Sequence, residues 1–171
     1  MKAVYAGSFD PITLGHVSVI ERAFKLFDII HIVVANNRSK KHLFSLEQRS
    51  SLVSRSIPEQ FAERIVISPF EGIVADYIND NGIGAVIRGI RNATDLEYEL
   101  QLEQYIRNTT TAETVYLSPY TQHMQTNSSL VRMFFQSGKH ELASHYMAAD
   151  AYKLALLYEL GQGQADKKEL D

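Results

Sequence analysis

A short run near the amino end combines small, hydroxyl and imidazole groups in an order that suits phosphate binding. It reads Gly-Ser-Phe-Asp-Pro-Ile-Thr-Leu-Gly-His and ends at His16. The apolar residues before it predict a buried strand, and a helical repeat of apolar residues begins near Leu14. The first turn of such a helix holds unpaired backbone N–H groups and a partial positive charge, which favour a phosphate. We therefore predict that His16 donates a hydrogen bond to a phosphoryl oxygen.

Other polar side chains follow predicted strands at three further places. Lys40 lies in a polar loop after the second strand, Arg88 and Arg91 follow the fourth, and Ser128 and Ser129 lie beyond the fifth. Parallel strands end at one edge of a sheet, where ligands bind in such folds. Cations and hydroxyls without an activated nucleophile favour an in-line phosphoryl or nucleotidyl displacement, in which positioning and electrostatics supply the catalysis.

Apolar runs alternating with helical patterns predict the elements that must position these groups. The strands are expected at 3–6, 29–35, 64–68, 85–87 and 114–117, with helices between them. Ser45 with Gln48, and Thr94 with Glu97, predict capping boxes at two helix starts. This alternation predicts an α/β fold with a doubly wound, five-stranded parallel sheet of the Rossmann-like kind.

Composition predicts one domain and excludes several classes of function. The 171 residues, 45% of them hydrophobic, suit a single domain over 1–160, and the polar stretch 161–171 is predicted to be a loose tail after a last helix of about 148–160. A net charge of −3 gives no basic footprint for nucleic acid. The absence of cysteine excludes disulfides and thiolate chemistry. No secretory leader or membrane-length apolar run occurs, so we expect a cytoplasmic protein without a membrane partner. Phosphate-loop, nucleophile-elbow and His-Glu-x-x-His patterns are also absent.

Three blocks of the sequence resemble known families. Thr13-Leu14-Gly15-His16, with Gly-Ser-Phe-Asp-Pro ahead of it, resembles the (Thr/His)-x-Gly-His signature of the nucleotidyltransferase superfamily. The segment 88–99, Arg-Gly-Ile-Arg-Asn-Ala-Thr-Asp-Leu-Glu-Tyr-Glu, is similar to one family within it, the phosphopantetheine adenylyltransferases of bacterial coenzyme A synthesis. Ser39-Lys40-Lys41, with a downstream Phe-Ser-Leu-Glu-x-Arg that ends at Arg49, looks like a second block of that family.

The resemblance implies an activity and its partners. Adenylate would pass from ATP to 4′-phosphopantetheine by direct attack, without a covalent enzyme intermediate, giving 3′-dephospho-coenzyme A and pyrophosphate. Mg²⁺ would be the cofactor, held by the ATP phosphates and not by protein side chains. The family also implies a homo-hexamer built from two trimers and coenzyme A as a feedback ligand.

The resemblance also implies roles for particular residues. The catalytic groups would be His16, Lys40 and Arg91. Phosphopantetheine would contact Ser8, Lys40, Val74 and Arg88. ATP would be bordered by a larger set drawn from three loops: Ser8, Phe9, His16, Gly89, Ile90, Arg91, Glu99, His123, Met124, Gln125, Thr126, Asn127, Ser128 and Ser129.

The sequence departs from the family pattern in three places, and three rival functions stay open. Ser8 stands where the family usually has Thr, Thr126-Asn127 stand where it usually has Ile-Ser, and the tail beyond Leu160 is longer than expected. Nicotinate mononucleotide adenylyltransferases, the first rival, share Gly-Ser-Phe-Asp-Pro but normally carry His at the position of Thr13. The second rival is a catalytically silent nucleotide sensor on the same fold. The third is a fragment of a class I tRNA synthetase.

Overall fold

Five parallel strands form one sheet in the computed structural model, which describes residues 1–36 and 41–168 and the side chains as far as residue 161. The strands are β1 (Lys2–Gly7), β2 (Ile29–Ala35), β3 (Ile65–Phe70), β4 (Ala85–Gly89) and β5 (Glu113–Leu117). They lie in the order β3-β2-β1-β4-β5. The predicted fold class, a doubly wound parallel α/β sheet, is therefore confirmed.

Helices connect the strands and cover both faces of the sheet. The helices are α1 (Leu14–Ala23), α2 (Leu46–Ser56), α3 (Val74–Asp80), α4 (Ala93–Thr109), α5 (Ser128–Gln136), α6 (His140–Ala143) and α7 (Ala149–Lys168). Two short 3-10 helices, Glu59–Arg64 and Thr121–His123, were not predicted, because their patterns are too short to show a period. No helix within the described residues is long and apolar enough to cross a membrane.

One of the two predicted capping boxes is confirmed and the other is wrong. At α2, the Ser45 hydroxyl accepts from the Gln48 N–H at 3.2 Å, and the Gln48 side chain accepts from the Ser45 N–H at 2.8 Å. At α4, the cap is Asn92, whose side chain accepts from the Asp95 N–H at 2.8 Å. Asn is the stronger N-cap, and this cap starts the helix before Thr94.

The last helix also differs from the prediction. It continues through Gly161 to Lys168 and does not end at Leu160. Glycine costs about 1 kcal/mol in a helix relative to alanine, but Gln, Ala and Lys around it favour the helix. That the end of the chain is loose, and that the domain closes at 160, stay predictions.

Strands β1 and β2 bury both of their faces, as a parallel sheet requires. Ile32 and Val34 contribute to the larger apolar cluster, under α1, α2, α5 and α7. Val4 and Val33 contribute to the smaller cluster on the other face, beneath α3 and α4. This alternation fixes the register of β1 and β2, and with it the edge at which their carboxyl ends lie.

The strand order reverses between β1 and β4. β1 pairs with both β2 and β4, and the connections from these strands run to opposite faces of the sheet. Such a reversal opens a crevice beyond the carboxyl ends of the two strands, which is where ligands bind in doubly wound sheets. Gly7 and Gly89 end the two strands at this crevice.

Candidate functional site

Two clefts lie along the carboxyl edge of the sheet, and Ser8 lines both. The first cleft, of about 290 Å³, lies between the ends of β1 and β4 and the starts of α1 and α5. Several residues that the sequence predicted to bind a substrate line this cleft: Ser8, His16, Gly89, Arg91, Thr126, Asn127, Ser128 and Ser129. The second cleft, of about 280 Å³, lies beside α3 and α4 and is lined by Ser8, Val74, Arg88 and apolar side chains.

His16 is held as a neutral hydrogen-bond donor. The Thr13 N–H donates to His16 Nδ1 at 3.1 Å, and the Thr13 hydroxyl lies 2.9 Å from the same nitrogen. Because Nδ1 accepts, the proton of the neutral ring is on Nε2. Burial lowers the pKa of His16 to about 4, and the nearby Arg91 cation acts in the same direction. At neutral pH the half-buried ring can therefore donate from Nε2 without carrying a charge.

Phe9 supports the histidine from behind and does not face the cleft. Its ring packs edge-on against His16, with centroids 5.2 Å apart, and against Tyr5 at 5.4 Å. Phe9 is 2% exposed and has a φ of 45°, in the left-handed region that non-glycine residues rarely adopt. The motif residue predicted to border ATP therefore contributes a side chain that positions His16.

Two glycines allow close approaches around the first cleft. A Cβ on Gly15 would lie 3.1 Å from the carbonyl oxygen of Thr126, so α1 can start directly against the segment before α5. A Cβ on Gly89 would lie 2.9 Å from the Tyr5 hydroxyl. Burial raises the pKa of Tyr5, so its phenol stays protonated beside β4.

The two predicted arginines belong to different clefts. Arg91 lines the first cleft, where Nε lies 2.9 Å from Asp95 and Nη1 donates to the Thr126 carbonyl at 3.5 Å. Arg88 lines the second cleft, where Nε lies 3.4 Å from Glu99. Burial raises the pKa of Glu99, while Arg88 opposes that rise. Glu99, predicted to border ATP, lies outside both sets of lining residues and contacts Arg88 instead.

The start of α5 presents hydrogen-bond donors to the first cleft. Asn127 caps the helix, because its side chain accepts from the Leu130 N–H at 2.9 Å. The Ser128 hydroxyl donates to the Pro11 carbonyl at 2.8 Å, while Ser129 is exposed. The backbone N–H groups at this helix start lie at the positive end of the helix dipole, which favours an anion.

Arg132 is a cleft residue that sequence reasoning missed. It lines the first cleft, donates from Nη1 to the Asp10 carbonyl at 2.7 Å, and donates from Nη2 to the Ser129 hydroxyl at 2.9 Å. Its spacing of four from Ser128 places both residues on one helix face, which is the signal that could have found it.

Buried polar groups fix the loop that follows β1. The Asp10 carboxylate accepts from the N–H groups of Leu43 and Phe44 at 2.9 and 3.0 Å. Arg49, which is 1% exposed, donates to the carbonyls of Ser8 at 2.6 Å, Ala35 at 3.0 Å and Phe44 at 3.1 Å. The ends of β1 and β2 are therefore tied to α2 through one buried cation.

The remaining predicted residues fall outside the cleft linings or outside the described chain. Lys40 lies outside the described residues. Five predicted ATP-bordering residues besides Glu99 do not line the first cleft: Phe9, Ile90, His123, Met124 and Gln125. The carbonyl of His123 nevertheless lies close to the start of α1: a Cβ added at Gly15 would be 3.5 Å from this oxygen. This segment supports the cleft through its backbone.

The carboxylates around the two clefts contact protein groups. Asp10 accepts two backbone N–H groups, Asp95 pairs with Arg91, and Glu99 lies against Arg88. Within the described part of the chain, no group of three or more His, Asp or Glu residues could hold a metal ion. The donor set of the clefts is one of cations, hydroxyls and amides, which suits phosphate oxygens.

Comparison with known proteins agrees with this geometry. The cytidylyltransferase-like family model matches residues 4–134, so fold and site define a nucleotidyltransferase of that class. The chain is 40% identical over 131 residues to the phosphopantetheine adenylyltransferase of Geotalea daltonii, covering 76% of this chain and 80% of that one. It is 41% identical over 133 residues to the enzyme of the same name from Thermotoga neapolitana, covering 77% and 81%. The chain belongs to the phosphopantetheine adenylyltransferase family.

A solved structure shows that the fold extends beyond this family. The nicotinic acid mononucleotide adenylyltransferase of Plasmodium falciparum, complexed with NaAD, superposes with a TM-score of 0.66 over 93% of this chain and 96% of that one. At 15% identity this likeness shows a shared fold alone.

Proposed function

We propose that this protein transfers adenylate from ATP to 4′-phosphopantetheine, giving 3′-dephospho-coenzyme A and pyrophosphate. The observation that carries the proposal is the pair of clefts that meet at Ser8. The first has the donors that a triphosphate requires, and the second joins the Arg88 cation to an apolar wall that includes Val74 and Leu102. A phosphate joined to a long, partly apolar chain matches that second lining.

The reaction is an in-line displacement at the α-phosphorus of ATP. An oxygen of the phosphopantetheine phosphate forms the new P–O bond, and the bond from the α-phosphorus to the bridging oxygen breaks. The electron pair of that bond leaves with pyrophosphate, so no covalent enzyme intermediate is required. Charge builds up on the equatorial and leaving oxygens, and fixed donors that await it lower the barrier.

Residues of the two clefts divide this work. Nε2 of His16 donates to an oxygen of the α-phosphate as negative charge grows there. Arg91 and the α5 amides bind the triphosphate, and Arg88 binds the phosphate of the acceptor. Phe9 and Thr13 keep the His16 ring in place, so little reorganisation is needed at the moment of reaction. Lys40, outside the described residues, is proposed to contact both phosphate groups on the basis of the family resemblance.

Mg²⁺ is proposed to enter with the nucleotide. The nearby carboxylates Asp10, Asp95 and Glu99 are engaged with protein groups, whereas Mg²⁺ is commonly held by substrate phosphates with several of its waters. When bound, the ion would supply charge neutralisation on the phosphates.

The deciding experiment offers phosphopantetheine and nicotinate mononucleotide side by side in a pyrophosphate-release assay with ATP. We expect release with phosphopantetheine, little with nicotinate mononucleotide, and none with pantetheine, which lacks the nucleophilic phosphate. The His16→Ala variant is the control for contaminating activity. Efficient use of pantetheine, or release with nicotinate mononucleotide alone, would contradict the proposal.

Assembly, feedback and location complete the proposal. The exposed apolar side chains of Tyr98, Leu100 and Tyr105 on α4 support burial against neighbouring subunits in a homo-hexamer. Light scattering is expected to give six times the chain mass of 19.3 kDa.

Coenzyme A, which contains both halves of the product, is the proposed feedback ligand. A cytoplasmic location is also proposed, because the substrates of coenzyme A synthesis are there.

A further inference from the structure

Two side chains of α1 hold the backbone of the segment between β5 and α5. Ser18, which is 2% exposed, accepts a hydrogen bond from the Tyr120 N–H at 2.6 Å. Arg22 donates from Nη1 to the Ser118 carbonyl and, at 2.8 Å, to the Ser118 hydroxyl. A spacing of four places Ser18 and Arg22 on one face of the helix. The segment is therefore held at two points that lie two residues apart.

Pro119, the residue between these two points, lines the first cleft, and so does Val19, which follows Ser18 in α1. Among the described residues of that lining, Val19 and Pro119 have aliphatic side chains, whereas the residues assigned to the phosphates are polar or charged. Val19 and Pro119 therefore offer aliphatic surface to the base of a bound nucleotide. The hydrogen bonds from Ser18 and Arg22 fix the separation of these two side chains.

The helix that holds Pro119 also carries His16, two residues before Ser18. The start of this helix lies against the same segment, since a Cβ added at Gly15 would be 3.1 Å from the Thr126 carbonyl oxygen. The wall at Pro119 and the donor at His16 are thus placed relative to one another by a single rigid element. A base held at that wall would keep the α-phosphorus at a constant distance from His16.

We propose that Ser18 and Arg22 are positioning residues that set the width of the first cleft at Pro119, and with it the preference for adenine over the smaller base cytosine. The inference rests on the proposed adenylyl transfer and concerns how its nucleotide is selected. Neither residue is among the described lining of the two clefts, so both act through Pro119. A purine has more surface to pack between two walls than a pyrimidine, so displacement of one wall weakens ATP binding more than CTP binding.

A purely structural role for Ser18 and Arg22 predicts different behaviour. If they only stabilised the connection between β5 and α5, their loss would lower the unfolding midpoint and leave the relative affinities of the folded protein unchanged. Residues that set the width of the cleft at the base instead change the ratio of the ATP and CTP affinities. Inorganic tripolyphosphate, which has no base, is the ligand that separates the two roles.

The test measures the dissociation constants of ATP, CTP and tripolyphosphate by calorimetry, at fixed Mg²⁺ and ionic strength. Ser18→Ala removes the acceptor for Tyr120, and Arg22→Met removes the donor to Ser118. The matched controls are Ser54→Ala and Lys25→Met, because both residues are exposed and lie outside both clefts. Unfolding midpoints identify any variant that loses its fold, and Arg22→Lys, which keeps a cationic donor, is the milder substitution.

We expect Ser18→Ala and Arg22→Met each to weaken ATP binding by about tenfold, CTP binding by about threefold and tripolyphosphate binding by less than about twofold. Arg22→Lys should fall between Arg22→Met and the native protein, and both controls should match the native protein. Equal losses for the three ligands, or an unchanged ratio of ATP to CTP affinity, would overturn the inference. Product formation from phosphopantetheine is measured separately on the native protein, so failure of the proposed reaction is a distinct result.

Discussion

His16 acting as a neutral donor has a quantitative consequence for the pH dependence of catalysis. With a pKa of about 4, the ring is uncharged over the whole range in which the protein would work. At pH 5.5 roughly 3% of the rings would be protonated, against roughly 90% for a histidine with the ordinary pKa of 6.5. If the neutral ring with its Nε2–H donor is the active form, the contribution of His16 to kcat should therefore stay nearly constant from pH 8 to pH 5.5.

Substitutions at His16 separate this contribution from the titration of the substrates. His16→Ala should lower kcat by about 10²- to 10³-fold, the scale for one preorganised transition-state donor, while the dissociation constant for ATP changes little. His16→Gln places an amide N–H near the position of Nε2 and should recover part of the loss. Phosphate groups of the substrates also titrate near pH 6, but this effect cancels in the ratio of the native kcat to that of His16→Gln.

Single-turnover kinetics from pH 5.5 to 8 measure that ratio, and the carbon NMR shift of the His16 ring measures its pKa directly. A flat ratio with a pKa well below 5.5 is expected. A ratio that falls about tenfold with a midpoint near 6.5 would refute the argument, as would near-normal turnover in His16→Ala. The same pKa shift affects stability: because the unfolded chain binds the extra proton, the stability contributed by His16 is lost as pH falls from about 6.5 towards 4.

Further substitutions test the rest of the site. Asn127→Ser should leave the KM for ATP within about threefold, because Ser caps a helix as well as Asn. Ser129→Ala should raise this KM more. A larger rise in Asn127→Ser than in Ser129→Ala, measured by steady-state kinetics, would show that the Asn127 amide contacts the ligand. Arg88→Ala should raise the KM for phosphopantetheine about tenfold or more with the KM for ATP nearly constant; an equal rise in both would contradict the two-cleft assignment. Gly89→Ala should lower activity, because its Cβ would lie 2.9 Å from the Tyr5 hydroxyl, and added Tyr5→Phe should restore part of it.

Local signals were sufficient to predict the strands, the fold class and the position of His16. The strand, loop and helix around His16 are predicted by the apolar periodicity and the helix-start pattern of one short segment, so no distant contact is needed to find them. The predicted box at Thr94 was wrong because a stronger cap, Asn92, lies just before it. The sequence pattern located the start of the helix to within a few residues. Competition between the neighbouring caps Asn92 and Thr94 decided at which residue the helix begins.

Tertiary contacts explain what the sequence did not reveal. Phe9 belongs to the recognised motif, yet its ring packs behind His16, and no local pattern tells whether a motif side chain faces a ligand or supports one that does. Arg132 lies outside the motif and gains its place through the carbonyl of Asp10, far away in the chain. Arg49 likewise binds carbonyls from separate loops, so its importance appears only when those loops are brought together.

The position of Ser8 at the junction of the two clefts affects how ligands leave. Two separate substrates each lose their translational freedom on binding, whereas one molecule that occupies both clefts loses it only once. Dephospho-coenzyme A is such a molecule, with its adenylate and pantetheine halves in one chain. We therefore expect it to stay bound longer than either substrate.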